Sequence, residues 1–251
     1  MRNHLIQKQN KRNALRQFFS KSKLKAIVYS CLLKLDSLNV TSYLDTGWEK
    51  YHTVKYKGII ASFDTAVCLS PDSTTAYLKR GLAKLELNDL QGAMADFNKV
   101  ISLDTTSAPG YFHRGQTSFE IGDYREAISD YDIAMAMNPG ITDAHYHRGV
   151  SKLAIDDQYG AIADFEIAIS LRPAFAEAYD NLGNAKRELK DLKGSMIEYN
   201  KAIEIDPLYA TVYFNRGMLY FALDNEDAAL SDLHKAGELG KQEAFVILAT
   251  I

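Results

Sequence analysis

Apolar residues recur along most of the chain at intervals of three and four, the spacing of one face of an α-helix. The pattern is clear within 77–85 and again within 93–103, and it predicts two amphipathic helices rather than strands. Between the helices, Leu87-Asn88-Asp89 and Ile121-Gly122-Asp123 supply residues typical of turns. The chain is therefore predicted to be all-α and built from helix pairs.

The same pattern returns every 34 residues without an insertion or deletion. The recurring glycines are Gly47, Gly81, Gly115, Gly149, Gly183 and Gly217. An aromatic residue precedes most of them by four positions, and a small residue and then a bulky one follow in the second half of each unit. Small residues let helix backbones approach closely and large ones fill the space between pairs, so a fixed period predicts a repeat array.

These residues resemble the tetratricopeptide repeat, a helix–turn–helix unit of 34 residues. The resemblance implies a right-handed α-solenoid of antiparallel helix pairs, with six units: 40–73, 74–107, 108–141, 142–175, 176–209 and 210–243. Segment 24–39 is interpreted as a degenerate half-repeat that caps one end. A short apolar stripe in 244–251 predicts a capping helix at the other end, because terminal units of a solenoid need a cover.

Charge divides the chain into a basic tail and an acidic body. The net charge is −3, yet residues 1–25 hold eight basic residues and no acid, which leaves −11 for the remainder. An acidic body disfavours nucleic-acid binding by the repeats. Segment 1–23 is expected to be flexible or loosely helical, and a solvated extension, membrane-surface contact, organellar targeting and nucleic-acid contact all stay open for it. A cytoplasmic location is the expectation for the array itself.

An arginine stands before the repeat glycine in four units, and an aspartate follows it 16 positions later. The spacing puts the two side chains on facing helices, so it predicts an ion pair within each of these units. The pairs are Arg80/Asp96, Arg114/Asp130, Arg148/Asp164 and Arg216/Asp232. The alternative is that these arginines face an acidic ligand.

The chain lacks recognisable catalytic, phosphate-binding and metal-binding motifs. His113, His145 and His147, with Asp143, form the one dense group of titratable residues, and a row of surface polar side chains explains it as well as a metal would. Two cysteines exclude a disulfide scaffold. We therefore expect no enzyme activity, cofactor or metal.

The family resemblance implies recognition through the concave surface that the first helices line. The residues placed there by their spacing are Leu78, Leu82, Leu85, Phe112, Gln116, Phe119, Tyr146, Val150, Leu153, Asp180, Asn184, Arg187, Phe214, Met218 and Phe221. This surface is apolar and aromatic, and its rim is acidic: Glu86, Glu120, Asp143, Glu177 and Glu188. It predicts a non-catalytic scaffold for a peptide or partner helix with apolar anchors and basic flanks.

Two other readings of this surface stay open. Its side chains could pack against neighbouring first helices or against a second copy of the array. The protein could also be an accessory or regulatory subunit of an enzyme or membrane-associated assembly, localised by the basic tail.

Overall fold

A computed structural model of the protein describes the backbone of residues 40–249 and the side chains of residues 53–249. This part of the chain forms twelve helices and no strand. The helices are α1 Val40–Leu69, α2 Thr74–Leu85, α3 Leu90–Leu103, α4 Ala108–Ile121, α5 Tyr124–Met137, α6 Thr142–Leu153, α7 Gln158–Leu171, α8 Ala176–Glu188, α9 Leu192–Ile205, α10 Ala210–Ala222, α11 Glu226–Glu238 and α12 Gln242–Leu248. The all-α prediction is confirmed. The predicted tail 1–23 and half-repeat 24–39 lie outside the described residues.

The chain divides into two compact units, Met1–Thr65 and Ala66–Ile251. In the second unit, α2 to α11 form five helix pairs. In the first of these pairs, Lys84 near the end of α2 donates to the Gly92 carbonyl oxygen near the start of α3. Arg80, one turn earlier in α2, bonds Asp96, one turn later in α3. The two helices are therefore antiparallel. Each second helix also contacts the next first helix, which joins the pairs into the predicted helical solenoid.

The turn within each pair has one residue in the left-handed region of φ. These residues are Asn88, Gly122, Asp156, Lys190 and Asp224, again 34 positions apart. The next residue is the N-cap of the second helix, as in Asp89, whose carboxylate accepts a hydrogen bond from the Gly92 backbone N–H at 2.9 Å. Apart from Lys190, the residues at the first of these positions are asparagine, aspartate or glycine, which tolerate positive φ. The residues at the second position are all aspartate or asparagine, which cap helices.

The prediction of a helix pair in unit 40–73 is wrong, because α1 runs without interruption from Val40 to Leu69. The turn positions of this unit are Val54 and Lys55. A β-branched valine is strained at positive φ, and lysine has no side-chain oxygen to cap the second helix. The helix therefore continues through the place where the other units turn.

Each pair closes on one large side chain from its second helix. Phe97, Tyr131, Phe165, Tyr199 and Leu233 hold this position, and none has measurable exposure. A Cβ added at Gly149 would stand 2.7 Å from the Phe165 ring, so the ring occupies the space that the glycine leaves. Nearest distances at Gly81, Gly115 and Gly183 are 2.7, 2.9 and 2.6 Å, so close packing requires the repeat glycine in these four units, whereas Gly217 has its nearest atoms at 3.3 Å.

Helix α12 covers the last pair. Ala244 is buried and belongs to one apolar cluster with Leu233 and Ala236, against which Ile247 and Leu248 pack. The ring of Phe245 lies close to Gly237, although about half of the side chain is exposed.

Candidate functional site: the face of the first helices

The first helices of successive pairs contact one another in series, from α2 through α4, α6 and α8 to α10. We call the surface they form the first-helix face, and define it by the fifteen side chains that the sequence placed there. Fourteen of them are partly exposed and one, Asp180, is buried. None is among the largely exposed apolar side chains of the described residues.

Several aromatic and aliphatic side chains of the first-helix face pack within the protein. Phe112 and Phe119 lie against the cluster of Tyr131, and Phe214 and Phe221 lie against the cluster of Leu233. Tyr146, Val150 and Leu153 pack in the same way against the cluster of Phe165. Packing against large side chains of the second helices thus accounts for part of their surface.

Leu78, Leu82, Leu85 and Met218 are the other apolar side chains of this face, and each is half-buried.

Asp180 is the buried exception, because its side chain is held by a polar network. It is 2% exposed and accepts hydrogen bonds from the Asn215 amide at 2.9 Å and from the Tyr209 hydroxyl at 3.3 Å. Burial raises the pKa of its carboxyl above the ordinary value. The expectation that Asp180 faces a ligand is therefore wrong. Asn184 is likewise engaged, since it accepts a bond from the Tyr199 hydroxyl at 2.7 Å.

Of the three histidines singled out in the sequence, two lie together between α4 and α6 and the third lies apart from them. His113 Nδ1 donates to the Gln116 side chain at 2.7 Å, and the Gln116 amide reaches His147 Nε2 at 3.3 Å, which links α4 to α6. Desolvation lowers the pKa of both His113 and His147 below the ordinary value of 6.5. His145 instead stands 3.8 Å from Asp164. No group of three or more metal-ligating side chains occurs in the described part of the chain.

Every predicted arginine meets the aspartate 16 positions later. The Nε atoms of Arg80, Arg114, Arg148 and Arg216 donate to the four aspartates at 2.7–2.9 Å, and their Nη2 atoms complete bidentate pairs. The aspartates are at most 6% exposed. Hydrogen bonding to Asp130 and Asp232 raises the pKa of Arg114 and Arg216. Such buried bidentate pairs tie the two helices of a unit together.

The same arginines reach back to the preceding unit, which the sequence reading missed. Arg114 donates to Asn98 at 2.9 Å, Arg216 donates to Asn200 at 2.6 Å, and Arg148 bonds Asp132. Each partner stands 16 positions before its arginine. The period of the array could have revealed these contacts, since each arginine has a polar residue 16 positions away on both sides.

A cleft of about 540 Å³ opens between α2 and α4. It is lined by Leu82, Leu85, Glu86, Asn88, Leu90, His113, Gln116 and Glu120. Leucines and the two acids of the rim therefore share one concavity. Elsewhere on the rim, Asp143 bonds Arg172 at 2.9 Å and Glu188 stands 3.8 Å from Arg187.

Sequence models of known families match the helix pairs. A tetratricopeptide repeat model matches residues 74–106, 108–140 and 210–239, and a second TPR repeat model matches residues 183–224. No curated protein sequence matches the chain significantly. Among the described residues, no helix is both long enough and apolar enough to cross a membrane.

Solved structures of similar proteins are also available for comparison. MamA is 26% identical, with a TM-score of 0.60 over 69% of this chain and 95% of that one. YrrB, described as a TPR protein with an unusual peptide-binding site, is 22% identical, with a TM-score of 0.61 over 75% and 97%. PilF of Pseudomonas aeruginosa is 15% identical, with a TM-score of 0.68 over 84% and 96%. The repeat models, the helix pairs and these likenesses together establish that the chain belongs to the tetratricopeptide-repeat family.

Proposed function

We propose that the protein is a non-catalytic scaffold that binds a segment of a partner protein along the first-helix face. The observation that carries the proposal is the continuity of this face, since α2, α4, α6, α8 and α10 contact one another in series. A face of that kind presents half-exposed apolar side chains in one row, the arrangement that extended or helical peptides recognise. YrrB is only 22% identical to this chain, so its likeness concerns the fold and not the binding site. The proposal therefore rests on the surface of this chain.

The partner segment has apolar anchors and basic flanks. Leu78, Leu82, Leu85 and Met218 offer the apolar contacts, because these side chains are partly exposed. The acidic rim favours positive charge beside the anchors. Association through this face with a second copy is an outcome that the same measurements detect.

Peptide selection on the full chain tests the proposal. A random 12-residue library displayed on phage is panned against the immobilised protein, and the recovered peptides are measured by fluorescence anisotropy. Leu78→Ser and Met218→Ser remove apolar contact from the first-helix face. Ile167→Ser and Ile197→Ser are the matched controls, because these side chains are exposed on second helices.

We expect the Leu78 and Met218 variants to lose binding by about tenfold or more, the loss expected when apolar contacts at an interface are removed. The control variants should retain it. Aromatic residues such as Phe119, Tyr146 and Phe214 are less suitable, because their truncation also disturbs the apolar clusters. The proposal is refuted if the library yields no peptide, or if the two pairs of variants behave alike.

A further inference from the structure

We propose that the cleft between α2 and α4 is a subsite for one lysine or arginine side chain of the bound segment. This inference rests on the function proposed above, and it assigns a chemical class of ligand to a defined place on the first-helix face. It follows from the walls of the cleft, from its charge and from its position in the array.

The walls suit the stem of a long basic side chain. Leu82 and Leu85 come from the end of α2, and Leu90 begins α3, so three leucines line one cleft. Lysine and arginine bury their methylene groups along apolar surface while the charged end stays at the opening. The volume of about 540 Å³ lies within the range of pockets that hold ligand groups.

The opening is negatively charged. Glu86 and Glu120 both line the cleft and are exposed, and neither has a hydrogen bond or ion pair in the described part of the chain. The nearby cations are placed elsewhere: Lys84 is bound to Asp96 at 2.8 Å, and Lys79 is not part of the lining. A ligand group that enters the cleft therefore lies near two carboxylates that have no cationic partner.

The unit that follows the cleft contains a buried hydroxyl without a hydrogen-bond partner among the described residues. Tyr131 has no measurable exposure, and its hydroxyl lacks a hydrogen bond among the described residues. The equivalent Tyr199 donates to Asn184, whose counterpart in the unit of Tyr131 is Gln116, a residue of the cleft lining. Gln116 is instead engaged by His113 and His147.

The pair of glutamates that defines the subsite occurs at one place in the array. The residues equivalent to Glu86 and Glu120 in the later units are Ala154, Glu188 and Ala222. Glu188 already lies 3.8 Å from Arg187. Only the α2–α4 step, among the five described pairs, sets two unpaired carboxylates at the C-terminal ends of adjacent first helices. The segment should therefore bind with its basic residue at this end of the face.

The peptide library described above also tests the subsite. It is panned in parallel on the wild-type chain, on the double variant Glu86→Gln/Glu120→Gln, and on the control Glu166→Gln/Glu226→Gln. The control removes the same charge from exposed positions of second helices. All four glutamates are exposed, so the substitutions leave the core unchanged.

We expect wild-type binders to be enriched in lysine or arginine at one position relative to their apolar anchors. The cleft variant should lose that enrichment and bind the selected peptides about threefold to thirtyfold more weakly, while the control is unchanged. Replacing the basic residue of a peptide by glutamine should weaken wild-type binding equally and leave binding to the cleft variant unaffected.

The two proposals fail in different ways. Peptides that depend on Leu78 and Met218 but show no basic position, or bind the cleft variant normally, overturn the subsite and leave the scaffold function intact. Peptides that lose affinity equally in the cleft and control variants show general attraction to an acidic protein, which also overturns the subsite. Absence of any peptide that depends on the first-helix face overturns both.

Discussion

Removal of Asp164 should destabilise the array strongly, because this carboxylate neutralises two partly buried cations. Its carboxylate is 1% exposed and is held by Arg148 through two hydrogen bonds and by Lys152 at 2.9 Å. Asp164→Ala leaves two cations facing each other with no anion between them, and each of their side chains is only 19% exposed. Breaking a buried pair in this way costs about 3–5 kcal/mol.

The protein itself contains the compensating arrangement. In unit 176–209, Leu182 replaces the arginine, and Glu198 pairs with Lys186 at 2.6 Å. Lys152 is the residue equivalent to Lys186. The double variant Arg148→Leu/Asp164→Glu therefore recreates that arrangement one unit earlier. It should be within about 1 kcal/mol of wild type, since a buried ion pair and a well-packed apolar residue are often equivalent in stability.

Urea unfolding gives the free energies, and native-state hydrogen exchange locates the effect. Because solenoid units contact only their neighbours, Asp164→Ala should lower amide protection in α6 and α7 more than in α10 and α11. A loss below about 1 kcal/mol for Asp164→Ala would refute the reasoning. So would a double variant that is as unstable as the single one, because the pair would then be specific to this unit.

Three further predictions concern close packing, the turns and pH. Gly149→Ala should destabilise the protein by about 1–3 kcal/mol in urea unfolding, because a Cβ there would stand 2.7 Å from a buried ring, whereas Gly217→Ala, with its nearest atoms at 3.3 Å, should be close to neutral. Asn88→Val should cost about 1–2 kcal/mol, since φ is 57° there, while Asn88→Gly should retain stability; equal effects would contradict the turn argument. Burial lowers the pKa of His113 and His147, so the unfolded chain binds more protons and the free energy of unfolding should fall as the pH drops below about 6.5. Replacing both histidines by asparagine should make the free energy of unfolding less dependent on pH in this range, and an unchanged dependence would refute the argument.

The sequence by itself determined the architecture from Thr74 onward. A period of 34 residues, with small residues at one place and bulky ones at another, leaves little freedom in how helix pairs stack, because each pair contacts only its neighbours. The arginine–aspartate spacing of 16 was equally informative, since two antiparallel helices with a short turn bring such residues together. The sequence also explains why unit 40–73 contains one long helix instead of a pair. Val54 and Lys55 stand at the two positions where the other units turn, and neither residue favours that turn.

The tertiary structure decided which side chains of the first-helix face remain available. Spacing placed Asp180 and Phe112 on that face, but spacing does not reveal that Tyr209 and Asn215 enclose the first or that Tyr131 and His147 surround the second. Exposure depends on how several helices meet, which is a property of packing between units rather than of position within one. The cleft between α2 and α4 has the same origin, because residues from three helices form it.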